Sequence, residues 1–209
     1  ISKRRDIKVA IIDDGIWYQH PDLNGDTIRK WPVVYKWNYL TNDTVINANC
    51  DHGTQIAGII AAQTNCAWNW PHTGIAGIVG DWLIPPYSDN PAILGVQLYG
   101  LKVGNYFPAG EIRADAMMNA VYHASRNNPI SGNGLGVHII NSSFGISNYY
   151  EYVGIHKAYN FAYENGVSLV CSRGNSGTDA GHYPATFDPS WITSVGALDA
   201  NHRKADFSS

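Results

Sequence analysis

Charge is scarce in this sequence. Only 15% of its 209 residues are charged, and with histidine neutral they sum to −3. So weak a field excludes a broad electrostatic grip on nucleic acid or on an acidic membrane surface. Long apolar runs are missing too. No window approaches the roughly 20 residues that a membrane-spanning helix needs. The opening stretch, Ile1-Ser2-Lys3-Arg4-Arg5-Asp6, is charged but leads into no apolar stretch of the signal-peptide kind. Cysteine is rare: Cys50, Cys66 and Cys171 cannot all pair with one another. Cys171 closes the apolar run Val167-Ser168-Leu169-Val170-Cys171 and reads as a buried free thiol. Cys50 and Cys66 flank an expected helix, so a bridge between them stays open and the redox compartment is undecided. There is no internal repeat and no low-complexity tract. What is present is 44% apolar residues in a chain long enough for one sizeable core. We therefore read 1–209 as one domain.

Short apolar runs alternate with helical patterns. Ile7 to Ile12 reads as a buried strand stopped by Asp13-Asp14-Gly15. His52 to Ala62 reads as a helix with Ile56, Ile59 and Ile60 on one face. Leu98 to Val103 and Val137 to Asn141 read as strands. Glu111 to Asn128 carries an apolar stripe of Ile112, Ala116, Ala120, Val121 and Ala124. Glu151 to Asn165 turns Ile155, Ala158 and Ala162 inward and stops at Gly166. Val167 to Cys171 and Trp191 to Val195 complete the strands. Residues 63–90, with Trp68, Trp70 and Trp82, are the least regular and read as a loop or insertion. Strand–helix alternation of this kind predicts a three-layer α/β fold, a mostly parallel sheet with helices on both faces. Functional groups then gather at the carboxyl ends of the strands. Asp13, the Ser142-Ser143-Phe144-Gly145 turn and Arg173-Gly174-Asn175 all fall at such ends.

Taken singly, these residues are ordinary. Asp13 alone reads better as a helix cap than as a catalyst. His52 alone reads as a surface or satisfied core histidine, and Gly174-Asn175-Ser176-Gly177 as a turn. Together they match a family. Ile11-Ile12-Asp13-Asp14-Gly15-Ile16 with His20-Pro21-Asp22-Leu23 resembles the Asp motif of the subtilisin-like serine peptidases. His52-Gly53-Thr54-Gln55-Ile56-Ala57-Gly58 is similar to their His motif. Ile140 to Gly145 resembles their substrate-binding edge strand, and Val170 to Gly177 the segment with the oxyanion-hole Asn. The order Asp…His…Ser belongs to this family, and the roles that follow are implied by the resemblance.

The resemblance implies a serine endopeptidase acting on polypeptides. His52 would take a proton from a serine hydroxyl, Asp13 would orient His52, and the Asn175 amide would stabilise the oxyanion. Ser143, Phe144, Gly145 and Gly174 would contact substrate backbone. Asp14 would contact substrate as well, because Asp-Asp-Gly is the kexin- and furin-like form of the motif. Against a preference for Lys or Arg stand the absence of acidic residues in Gly145-Ile146-Ser147-Asn148 and the charge of Arg173. Asp22 matches a position that binds structural calcium in many members, the other ligands coming from the loop 72–80. No organic cofactor is implied. The location implied is secreted or extracytoplasmic, without nucleic-acid or membrane partners.

No Gly-Thr-Ser occurs in the sequence. By resemblance it would follow Ser209 by roughly thirty residues in an Asp…His…Ser chain. The domain is thus expected to be incomplete at both ends and inactive alone, with a propeptide or second chain as a partner supplying what is missing. The alternative is a catalytically inactive scaffold of the same fold. A carbohydrate- or protein-binding module built on the tryptophans would need no proximity of Asp13 and His52.

Overall fold

The computed structural model describes residues 7–23, 33–47, 51–62, 74–80, 95–105, 111–127, 133–146, 152–178, 182–188 and 190–209. Cys50, Cys66, Trp68, Trp70, Trp82, Ser147 and Asn148 lie outside the described residues. The chain divides into two compact units, 1–111 and 112–209.

In the first unit, β1 (Lys8–Asp13) is buried along all but its first residue. That is what a run such as Val9-Ala10-Ile11-Ile12 requires when both faces of a parallel sheet are covered. β1 pairs in parallel with β3 (Gln97–Lys102), in a register running from Lys8 opposite Gln97 to Asp13 opposite Lys102. On the far side of β3 lies β2 (Val33–Asn38), also parallel, with an irregularity between Val33 and Tyr35. β2 was not expected, because exposed Val34 and half-buried Tyr35 to Trp37 break any continuous apolar run.

The helix α1 (His52–Ala61) forms where predicted, but its inner face is different. It buries Gly53, Ala57, Gly58 and Ala61, while Ile59 stands 54% exposed. Close approach is the reason: a Cβ on Gly58 would lie 3.1 Å from Ile75 Cδ1. Residues 77–79 then run along the end of α1. The amides of Ile78, Val79 and Gly77 donate to the carbonyls of Ile59, Ile60 and Ala62 at 3.0, 2.9 and 2.9 Å. Those are the carbonyls that a helix end leaves without intrahelical partners. Short β4 (Gly104–Asn105) and β5 (Glu111–Ile112) follow β3.

In the second unit, α2 (Ala114–Ser125) starts three residues later than expected, since Glu111 and Ile112 are extended. Its buried stripe includes the predicted Ala116, Ala120, Val121 and Ala124. α3 (Tyr152–Glu164) buries Ile155, Ala158 and Ala162 fully, as predicted. β6 (Ile139–Ser142), β7 (Ser168–Ser172) and β8 (Ile192–Val195) pair in parallel, β7 in the middle. Cys171 is buried and free. Burial pushes its thiol up to about 12, far from a nucleophile's range. The architecture is therefore α/β with mostly parallel strands. Among the described residues, no helix is long and apolar enough to cross a membrane.

Candidate active site

β1 ends at Asp13, and α1 begins at His52. The end of a parallel strand and the start of a helix therefore deliver an acid and an imidazole to one corner. His52 Nδ1 lies 2.7 Å from Asp13 Oδ1. The carboxylate side chain is 3% exposed and the imidazole 28%. Asp13 Oδ1 also accepts the backbone N–H of Asp14 at 2.8 Å. Its other oxygen is buried without a hydrogen-bond partner among the described residues. So placed, the carboxylate sets the tautomer of His52: Nδ1 carries the proton toward Asp13 and Nε2 is the basic nitrogen. The hydrogen bond to Asp13 raises the His52 pKa above its usual value. Burial pulls the other way, and the charges of Asp13 and Asp14 add to the rise. A binding module built on the tryptophans has no need of such a pairing.

Gly53 makes the approach feasible. A Cβ there would collide with the Gly15 carbonyl oxygen and sit 3.1 Å from Asp13 Cβ. Thr54 ties the same turn down, its Oγ1 accepting the Trp17 N–H at 2.9 Å.

Asp14 requires a correction. The motif's form suggests a substrate contact, yet the residue is 1% exposed. Its Oδ1 accepts the Gly53 N–H at 3.0 Å, and its carbonyl accepts from Lys102 Nζ. A basic substrate side chain has no path to a carboxylate enclosed in this way. Burial raises the Asp14 carboxyl to about 6, the Gly53 N–H opposing and Asp13 adding to the shift. Lys102 is buried as well, and desolvation lowers its pKa. The ligand atoms of Asp13, Asp14 and His52 all lie within 4.8 Å of one another. A metal grip is a poor description of them, since Asp13 and His52 already bind each other through Oδ1 and Nδ1. His20 Nδ1 accepts the Asp22 N–H at 3.2 Å.

Asp22 sits against Gly74 and Ile75, in the described part of the loop 72–80 expected to complete a calcium site. Its Oδ2 accepts the Ile75 N–H at 3.2 Å, and a Cβ on Gly74 would fall 2.5 Å from its Oδ1. The group facing Oδ2 is thus an amide hydrogen, which a cation would have to displace. As they stand, the described residues do not fit the six to eight oxygens of a calcium cage.

Within the second unit, β6 stops at Ser142. Ser143, Phe144 and Gly145 continue without regular pairing. Ser143 Oγ accepts from Asn141 Nδ2 at 2.9 Å, Phe144 is buried, and Gly145 is exposed. Beyond β7, Gly174 adopts a φ of +105°, which only glycine takes without strain, and Asn175 is exposed. The Gly174 carbonyl accepts the Ser209 N–H at 3.1 Å. Between these two glycines lies a residue that sequence reasoning missed, His182. A Cβ on Gly145 would lie 2.9 Å from its Nδ1, and one on Gly174 2.8 Å from its Nε2. The Ile146–Tyr183 backbone pair, at 2.9 and 3.1 Å, holds it there. No motif marks His182; the signal was only its place beside Tyr183-Pro184.

The Subtilase family model matches residues 4–209. The chain belongs to the subtilase family. It is similar to thermitase from Thermoactinomyces vulgaris, 30% identical over the whole chain and 61% of that protein. Subtilisin DY from Bacillus licheniformis is 29% identical over 99% of the chain and 62% of its own length. The chain thus spans less than two thirds of either relative. A crystal structure of a lanthipeptide protease superposes with a TM-score of 0.64 at 22% identity, covering 97% of this chain and 52% of that one. That likeness shows a shared fold.

Proposed function

We propose that this subtilase chain supplies the acid–base half of a serine endopeptidase whose nucleophilic serine lies outside these 209 residues. The observation that carries the reading is the 2.7 Å contact between His52 Nδ1 and a buried Asp13. A serine hydroxyl is a weak nucleophile at neutral pH and needs a base beside it. His52 Nε2 removes its proton as the oxygen attacks a peptide carbonyl. Asp13 stabilises the imidazolium that forms without taking the proton itself. The tetrahedral oxyanion is met by the Asn175 amide, a donor contributing about 3 kcal/mol. His52 then returns the proton to the leaving amine. Ser143, Phe144, Gly145 and Gly174 present backbone to an extended polypeptide. Arg173 disfavours cleavage after Lys or Arg. A propeptide or second chain as partner, and a location outside the cytoplasm, follow from the family resemblance.

The test uses the complete protein with a chromogenic peptide and a fluorophosphonate probe for an activated serine. His52→Ala lowers kcat by on the order of 10⁶-fold and abolishes probe labelling while the fold persists. A complete wild-type protein that neither cleaves nor labels makes the chain an inactive scaffold.

A further inference from the structure

The triad chemistry uses Asp13 and His52 and gives the neighbouring carboxylate no task. Asp14 nevertheless makes three separate ties at this corner. Its N–H donates to Asp13 Oδ1, the same oxygen that meets His52. Its own Oδ1 accepts the N–H of Gly53, the residue next to His52, from 39 positions away in sequence. Its carbonyl accepts from the buried ammonium of Lys102 on β3. The helix itself leaves this work undone, since Asp51, at the N-cap of α1, makes no side-chain capping bond. A carboxylate at this end of a helix also meets the positive pole of its dipole.

We infer that Asp14 is a positioning residue: its carboxylate holds the first turn of α1 on the end of β1 and so fixes the His52 imidazole on Asp13. This rests on His52 acting as the base. Asp14 touches no substrate, being 1% exposed with both its backbone groups engaged. Its Oδ2 is buried without a partner among the described residues, so the Gly53 tie through Oδ1 is the anchor of the carboxylate. Loss of that tie lets the helix start drift. Small displacements of a catalytic group are costly, since about 1 Å costs on the order of 10²-fold in rate.

The experiment measures kcat and KM separately in the complete protein. Asp14→Ala and Asp14→Asn are compared on two peptide sets, one with Lys or Arg before the scissile bond and one neutral. Thermal unfolding is followed alongside. Asp14→Ala lowers kcat by about 10²-fold on both sets, with KM within about twofold of wild type. Asp14→Asn recovers most of kcat, because its amide oxygen still accepts from Gly53. Where Asp14→Ala does not fold, Asp14→Ser, one bond too short to reach Gly53, takes its place. A rise in KM confined to the basic peptides makes Asp14 a substrate contact and overturns the inference. So does an unchanged kcat in folded Asp14→Ala or Asp14→Ser, or an Asp14→Asn protein as impaired as they are. If the wild type itself hydrolyses neither set, the peptidase reading fails and takes the inference with it. A wild type that cleaves while the variants match it removes the inference alone.

Discussion

Two corners of the chain are built on opposite physics. At the end of β1, four titratable groups are gathered by hydrogen bonds: Asp13 to His52, Asp14 to Gly53, Lys102 to the Asp14 carbonyl. At the ends of β6 and β7, two glycines make room for one imidazole, and shape decides the arrangement. The first corner places charge where a proton must move. The second leaves two stretches of backbone bare around His182. A change of side chain therefore acts in the first through rate, and in the second through fit.

The largest effect expected from breaking this contrast comes at Gly53, where the two kinds of physics meet. Gly53→Ala drives a methyl into the Gly15 carbonyl and crowds Asp14 Oδ1 at 3.2 Å. Either the helix start or the end of β1 must move, and His52 loses its place on Asp13. Activity of the complete protein falls by about 10²-fold, read as kcat with peptide substrate. A variant with wild-type kcat means that the close approach is dispensable.

Smaller, and read in stability, is Gly174→Ala. It combines a strained φ of +105° with a contact of 2.5 Å to His182 Cδ2. Strain of this kind costs about 1–3 kcal/mol. Combining it with His182→Ala relieves the collision and leaves the backbone strain. The double variant therefore unfolds at a higher temperature than the sum of the single effects predicts. Strict additivity in thermal denaturation says that His182 does not fill the gap between the glycines.

The same contrast explains what the sequence revealed. Asp13 and His52, ordinary when taken singly, were legible because their motifs together resemble those of the subtilisin-like peptidases. The stripe on α3 was legible because Ile155, Ala158 and Ala162 recur at helical spacing and are buried. The face of α1 was misread. Ile56, Ile59 and Ile60 are the larger side chains, but the buried residues are Gly53, Ala57, Gly58 and Ala61, with the Gly15 carbonyl close to Gly53 and the Ile75 side chain close to Gly58. Asp14 was misread for a related reason. A motif shows that an acid is present but not which way it faces, and here it faces Gly53. β2 escaped notice because exposed Val34 and half-buried Tyr35 to Trp37 leave no continuous apolar run, and His182 because packing between two distant glycines leaves no local pattern.

The central claim is that Asp13 and His52 act as one hydrogen-bonded unit. It is tested most directly by titrating His52 in the complete protein by NMR, in wild type and in Asp13→Asn. The account predicts a wild-type pKa above the ordinary 6.5, because the bond to Asp13 raises it. The bond then contributes stability that is fully present below pH 6.5 and is lost as pH rises through the folded value. The neutral base needed for catalysis appears only on the alkaline side of that value. In Asp13→Asn the titration moves down. A wild-type His52 that titrates at or below 6.5, unchanged in Asp13→Asn, contradicts the account.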